Sequence, residues 1–382
     1  MKIAYVINSV EGGGAAAPVP AVARVLAAQG ADVRILALTR RDGRGLAAME
    51  RAGLRVSVRP GGDGDHAAAL MWLDRQIARD TPDLVWTSLT RATLLGQLVG
   101  ARRGLPVVSW QHAAYLKPAN RVLLRATQRL SALWVGDSES VTALTASRLG
   151  VGPNRLATWP LFAADPTAPR AGRWRRGDTL RLGSLGRLHP VKGYDVLIAA
   201  LAHLHAQGFR PPAPFEMTIA GEGAQRDALH VAAASAGLDT VRLAGFIDNP
   251  RGWLSGLHAY VQPSRSEGLC IAAHEAMQAG LPAVVSAVGE LPYSVVPGQT
   301  GWLVPPADPR ALAAAFRDLL SNPDRLADMG AAAYERLFAR FGAEAFEAAG
   351  AAVLARLSVS AAGRSAYAAD RPRSRQASGP HA

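Results

Sequence analysis

Two glutamates, Glu267 and Glu275, stand eight positions apart in the stretch SRSEGLCIAAHEAMQAGLP, Ser264 to Pro282. The run HAYVQPS before them reads as a strand, RSEGL as a turn, and CIAAHEAMQA as a helix stopped by Gly280 and Pro282. On a helical wheel Glu275 falls between Ile271 and Ala279, on a face of small residues suited to packing inward. A carboxylate is costly to desolvate there without a partner. Two partners fit: a cation in a structural salt bridge, or the vicinal hydroxyls of a ligand such as a ribose. Glu267 is placed to hold a second sugar, and the N–H groups of the turn between the two glutamates suit a phosphate.

Cations stand upstream. LGSLGRLHPVKGYDVLIAALAHL ends a strand at Gly186-Arg187 and sets Lys192 just before an amphipathic helix. Arg187 offers a planar fork of donors and Lys192 a compact charge, both at the edge of a sheet where α/β proteins bind ligands. Together they suit a diphosphate; taken singly, each is also an ordinary solvated cation. Near the N-terminus, VINSVEGGGAAAP places Gly12, Gly13 and Gly14 between a strand and a helix, which lets backbone N–H groups approach an anion. The G-x-G-x-x-G spacing is absent, and the second strand ends LALTR without an acidic residue for a ribose, so a dinucleotide site is excluded. Turns at IAGEG and at Gly245-Phe246 repeat the strand–glycine pattern.

These residues need elements to position them. Short β-branched runs alternate with alanine- and leucine-rich helical stretches from end to end, the signature of parallel sheets built of βαβ units. KIAYVIN, DVRILAL, LRVSV, DLVWTS, LPVVSWQ and ALWVGDS read as strands of a first unit. After a break rich in Pro, Gly and Arg, LRLGSLGR, FEMTIAG, VRLAGF, AYVQPS, PAVVSA and GWLVP read as strands of a second. The predicted domains are residues 1–165 and 180–342 with a linker at 166–179. A last helix covers 343–357, and residues 358–382 form a basic tail without periodicity, read as disordered.

The chain has 382 residues, enough for two cores, and one cysteine, Cys270, which fits a reducing compartment. Its first residues read as a strand rather than a signal peptide, and the expected location is the cytoplasm. The net charge of +12 is uneven: residues 1–165 hold 20 Lys/Arg against 12 Asp/Glu, whereas residues 166–357 hold 18 against 17. A basic first half suits a phosphate, a lipid or an anionic surface. No aromatic-basic RNA motif or metal-finger spacing is present, and nucleic acid is not an expected partner.

GRLHPVKGYDVLIAA, IAGEG, LAGFIDN and PSRSEGLCIAAHEAMQAGLPAVVS fall in the order and spacing of one family. The chain resembles the retaining nucleotide-sugar glycosyltransferases of family 4, with the GT-B fold: two doubly wound Rossmann-like α/β domains facing each other across a cleft. The paired glutamates are the most specific mark. The first half is similar more loosely, through GGGA, SWQH and VGDSESV.

The resemblance implies that Arg187 and Lys192 bind the donor diphosphate, Glu275 the nucleotide ribose, and Glu267 the transferred sugar. The amides of Gly268, Leu269, Cys270 and Ile271 face sugar and phosphates, with Gly245 and Phe246 also on the donor side. Gly13 and Gly14 lie against the diphosphate from the opposite domain, and His112 sits beside the donor sugar. The helix after residue 342 returns to the first domain. The implied donor is a UDP-, GDP- or ADP-sugar, the acceptor a glycan or lipid-linked sugar, and no cofactor is expected. The segment departs from the family at Glu290 and Tyr293, where a glycine and a glutamate are common, and at Cys270, which replaces a frequent glycine.

No D-x-D pair stands where a metal would be expected, so metal-independent transfer is predicted, with Arg187 and Lys192 stabilising the leaving diphosphate. Retention by a carboxylate pair ~5 Å apart finds no candidates, which favours front-face substitution. Arg121, Arg125 and Arg129 recur at helical spacing beside Leu123, Leu124 and Leu130, a pattern suited either to an anionic membrane or to a solvated helix. The alternative readings are a GT-B nucleotide-sugar epimerase and a non-catalytic donor-binding subunit.

Overall fold

The computed structural model describes residues 1–12, 16–112 and 116–369, with side chains as far as 357. Gly13 and Gly14 lie outside the described residues. Among the described residues thirteen strands form two sheets, and every pairing is parallel. In the first sheet β1 is Lys2–Ser9, β2 Asp32–Thr39, β3 Arg55–Val58, β4 Leu84–Ser88, β5 Val107–Gln111, β6 Leu133–Gly136 and β7 Leu156–Thr158, in the order β3-β2-β1-β4-β5-β6-β7. In the second, β8 is Leu180–Leu185, β9 Phe215–Ala220, β10 Val241–Gly245, β11 Ala259–Gln262, β12 Ala283–Ser286 and β13 Gly301–Val304, in the order β10-β9-β8-β11-β12-β13.

Both sheets are doubly wound, so each has one place where the strand order reverses: between β1 and β4, and between β8 and β11. Helices cover both faces, which is why β4, β5, β6, β11 and β12 are buried at every residue and read as mostly apolar runs rather than strict alternations.

At the centre of the first sheet Tyr5, Trp86, Trp110 and Trp159 pack together, with the Trp110 and Trp159 rings stacked 4.9 Å apart. The core runs on through the connection between the domains. Phe162 meets His274 and Phe341, and Phe346 lies against Trp159 with ring centroids 5.4 Å apart. Phe346 belongs to the helix Ala343–Ala369, which packs on the helix Val19–Ala28 of the first domain. Farther along, Arg356 donates to the carbonyl oxygens of Leu156, Pro153 and Asn154.

Two boundaries need correction. β7 was not among the expected strands: it is three residues long, too short to show a period. The last helix does not stop at Leu357 but continues to Ala369, into the segment read as disordered. Alanine recurs throughout that stretch, and its high helix propensity sustains the helix without a large apolar face.

Candidate active site

The expected site residues of the second domain gather at the carboxyl edge of its sheet, around the β8/β11 reversal, where open α/β sheets bind ligands. Gly186-Arg187 follows β8, Gly245-Phe246 closes and follows β10, and the turn carrying Glu267 follows β11. Gly193 makes this convergence feasible. Its backbone is left-handed (φ 68°), and a Cβ there would lie 2.1 Å from the Pro263 carbonyl oxygen, so only glycine lets the Lys192 turn press against the end of β11.

Lys192 and Glu267 meet directly, with Nζ 2.7 Å from Oε1. The same oxygen accepts from Ser264 Oγ at 2.5 Å, and behind it Gln262 donates to Ser264 Oγ at 2.8 Å and accepts from Tyr260 Oη at 2.7 Å. Burial works against the Lys192 charge, but Glu267 outweighs it together with smaller contributions, and the ammonium titrates above its usual range. Arg187 is exposed and makes no ion pair among the described residues.

Glu275 is mostly buried, at 19% side-chain exposure, and no hydrogen bond reaches its carboxylate among the described residues. Its nearest cation is Arg251, whose Nε is 4.0 Å from Oε1. Burial raises the Glu275 carboxyl above the ordinary range, and Arg251 draws it back. Between the two glutamates the helix Ile271–Gln278 begins at Cys270, which is left-handed at φ 64°. The backbone N–H groups of Gly268, Leu269, Cys270 and Ile271 find no protein acceptor among the described residues.

The opposing edge belongs to β4, β5 and β6. His112 follows β5; its Nε2 is 2.6 Å from Ser88 Oγ, while Nδ1 has no hydrogen-bond partner among the described residues and stands 3.8 Å from Asp137 Oδ2. Burial drives the imidazole pKa down to about 3, so the ring is neutral at physiological pH. Burial also pushes the Asp137 carboxyl up to about 8; the Ser138 hydroxyl bond opposes this, and Glu290 and Glu267 reinforce it.

The two edges touch. A Cβ on Gly268 would lie 2.5 Å from the His112 carbonyl oxygen and 3.3 Å from Asp137 Oδ2. The Arg44 guanidinium lies 3.9 Å above the Phe246 ring, a cation–π contact from the first domain to the second. The arrangement is a carboxylate-lined, cation-bearing crevice with free backbone donors, equipped to grip an anion that carries hydroxyl groups.

Two family models match the chain: Glycosyltransferase Family 4 over residues 12–163 and Glycosyl transferases group 1 over residues 172–336. The chain is 32% identical over 304 residues to a D-inositol 3-phosphate glycosyltransferase of Catenulispora acidiphila, covering 72% of this chain and 70% of that protein. The chain belongs to glycosyltransferase family 4. This glycosyltransferase is also 38% identical over 189 residues to a glycogen synthase of Mycobacterium tuberculosis, covering 48% of this chain and 42% of that one. Among solved structures it resembles Anabaena HepE in complex with UDP and glucose, with a TM-score of 0.78 at 19% identity over 93% of this chain and 99% of that one; the likeness is one of fold. The fold is GT-B.

Sequence reasoning missed several residues of the glycosyltransferase's crevice. Asp137 and Ser88 emerge only as neighbours of His112, and Arg44 only as the cover of Phe246. Glu290 stood out in the sequence as a departure from the family but without a role. It is 2% exposed and paired with Arg340 at 2.7 Å, and its backbone N–H donates to the Gly268 carbonyl oxygen at 3.0 Å. Tyr293, the other departure, points to solvent at 53% exposure.

Proposed function

We propose that this glycosyltransferase moves a hexose from a nucleoside-diphosphate sugar to a glycan or lipid-linked acceptor with retention of configuration, in bacterial surface polysaccharide or glycolipid biosynthesis. The observation that carries the reading is Glu275, a mostly buried carboxylate that no hydrogen bond reaches among the described residues, on the helix whose entering turn leaves the Gly268–Ile271 amides without an acceptor among those residues. Ribose hydroxyls fill that vacancy with paired, charge-assisted hydrogen bonds. The Gly268–Ile271 amides and Arg187 then receive the diphosphate, and Glu267 and Lys192 flank the transferred sugar and its phosphate. The UDP bound in HepE makes uridine the first donor nucleoside to test.

In the proposed front-face step the bond from the anomeric carbon to the diphosphate oxygen breaks as the acceptor oxygen bonds to that carbon on the same face. The acceptor's proton passes to the departing phosphate oxygen. Arg187 and Lys192 stabilise the charge that develops there, and no metal is required for it. Neutral His112, with Nε2 engaged by Ser88, helps shape the sugar pocket rather than serving as a base.

The helix Pro118–Thr127 supports a peripheral cytoplasmic site of action. Val122 and Leu123 are 64% and 50% exposed, and Arg121 and Arg125 stand beside them with no acidic residue in the helix. That surface suits anionic headgroups and a lipid-linked acceptor. No described helix is long and apolar enough to cross a membrane.

The test is calorimetry with UDP, GDP and ADP, followed by incubation of the matching sugars with glycan and polyprenyl-phosphosugar acceptors and NMR assignment of the product anomer. Glu275→Gln is expected to weaken the bound diphosphate about tenfold to a hundredfold. Wild-type affinity in that variant returns Glu275 to a structural role, and an epimerised donor without transfer points to an epimerase.

A further inference from the structure

Arg251 lies in the short helix Pro250–Leu254, and its guanidinium faces two carboxylates. Nη1 donates to Asp165 Oδ2 at 2.7 Å, while Nε stands 4.0 Å from Glu275 Oε1. The two carboxylates are held very differently. Asp165 Oδ1 accepts from the backbone N–H of Thr167 at 2.9 Å and from its hydroxyl at 2.6 Å, and the Asp165 N–H donates to Gln278 Oε1 at 2.7 Å. The Thr167 bonds and then Arg251 keep the Asp165 carboxyl below its ordinary range. Asp165 is therefore an anchor, whereas no hydrogen bond holds the Glu275 carboxylate among the described residues.

The separation of 4.0 Å decides what Arg251 does. It is too long for a hydrogen bond, so the Glu275 lone pairs stay open to a ligand. It is short enough for the cation to favour the charged carboxylate against the desolvation that opposes it. Asp165 also stands where the chain leaves the first domain, and the segment that follows is tied to the helix bearing Glu275. Gln278 of that helix accepts from Asp165, and the Ala279 carbonyl oxygen accepts from the Ala171 N–H at 2.7 Å.

We propose that Arg251 is a positioning residue for the donor nucleoside: anchored on Asp165 at the head of the interdomain linker, its guanidinium stands against the Glu275 carboxylate and leaves its oxygens open to the ribose. The inference rests on the reading of Glu275 as the ribose carboxylate. It adds that the linker and the nucleoside site form one connected unit, so that a residue outside the crevice sets donor affinity.

The test is a double-mutant cycle on the full chain, read by calorimetry with whichever of UDP, GDP and ADP binds the wild type most tightly. Arg251→Ala is expected to weaken binding about tenfold, with Arg251→Lys recovering most of the loss, and Asp165→Asn about threefold. In the Glu275→Gln background, Arg251→Ala is expected to cost less than about twofold, because its effect passes through the carboxylate. Equal losses in both backgrounds, or wild-type or tighter binding by Arg251→Ala, overturn the proposal while leaving the ribose reading intact. Wild-type binding by Glu275→Gln alone overturns the ribose reading and this inference with it.

Discussion

The Lys192 ammonium and the Glu267 carboxylate, assigned in the sequence to phosphate and to sugar, are 2.7 Å apart and neutralise each other. Their pairing makes the two sites interdependent. Lys192→Ala leaves Glu267 without its cation and, on the proposed mechanism, removes a charge from beside the leaving group, so kcat/KM is expected to fall about a hundredfold to a thousandfold. Glu267→Gln keeps a hydrogen-bond acceptor for Ser264 but releases Lys192. Its affinity for the bare nucleoside diphosphate should stay within about twofold of wild type while transfer collapses. Steady-state rates and calorimetry separate the two variants, and equal loss of diphosphate affinity in both would contradict this division.

Arg187 offers a cleaner test of leaving-group stabilisation because it is exposed and carries no ion pair among the described residues. Its removal costs the fold little. Arg187→Ala should unfold within about 0.5 kcal/mol of wild type in urea. Its kcat/KM should nonetheless drop about a hundredfold. Unchanged kinetics would make Arg187 an ordinary solvated cation.

Asp137 and His112 make stability depend on pH from opposite sides. The Asp137 carboxyl is raised from 3.8 to about 8, so the stability of its neutral form is full below 3.8 and is lost as pH rises towards 8. The His112 ring is lowered from 6.5 to about 3, so its contribution is present above 6.5 and lost as pH falls towards 3. Each contributes at most about 1.4 kcal/mol per pH unit within its window. Asp137→Asn is expected to gain more in Tm at pH 8 than at pH 5. A gain independent of pH would show that Asp137 ionises freely in the folded protein.

Cys270 carries a side chain at φ 64°, where a non-glycine residue costs roughly 1–2 kcal/mol. Cys270→Gly removes that cost and a buried thiol together, and its Tm and activity should stay near wild type. Cys270→Val places a β-branched side chain in the same conformation and should lose more than about 1 kcal/mol. Burial pushes the thiol pKa up, so native protein should resist alkylation at pH 8 until it is unfolded.

The strands around the crevice were legible because parallel strands buried on both faces are mostly apolar without strict alternation, as in LVWTS and AVVS. The Glu267–Glu275 segment was legible because its chemistry is local, one turn leading into one helix. What the sequence hid is pairing across distance. Arg251 and Asp165 are 86 positions apart, and Gly268 meets His112 across the cleft. Neither contact leaves a spacing pattern, since each depends on how two separately folded sheets are set edge to edge. Asp137 was hidden for a related reason: VGDSESV reads as an ordinary strand end, and only burial in the assembled cleft, reinforced by Glu290 and Glu267, makes its carboxyl unusual.

The helix that begins at Ala343 sets an order of events at the ribosome. Val25 and Trp159 belong to the first half of the chain, yet Gly350 is the residue packed so tightly on both that a Cβ there would lie 2.6 Å from each. Phe346 and Val353 complete the same cluster. As synthesis proceeds from the N-terminus, this indole and its neighbours lack that part of their cover until residues 343–357 are translated, whereas β8 to β13 emerge with their own helices between them. The domain made first is therefore the one finished last, and the apolar face that Phe346, Gly350 and Val353 cover is what a nascent-chain chaperone would meet.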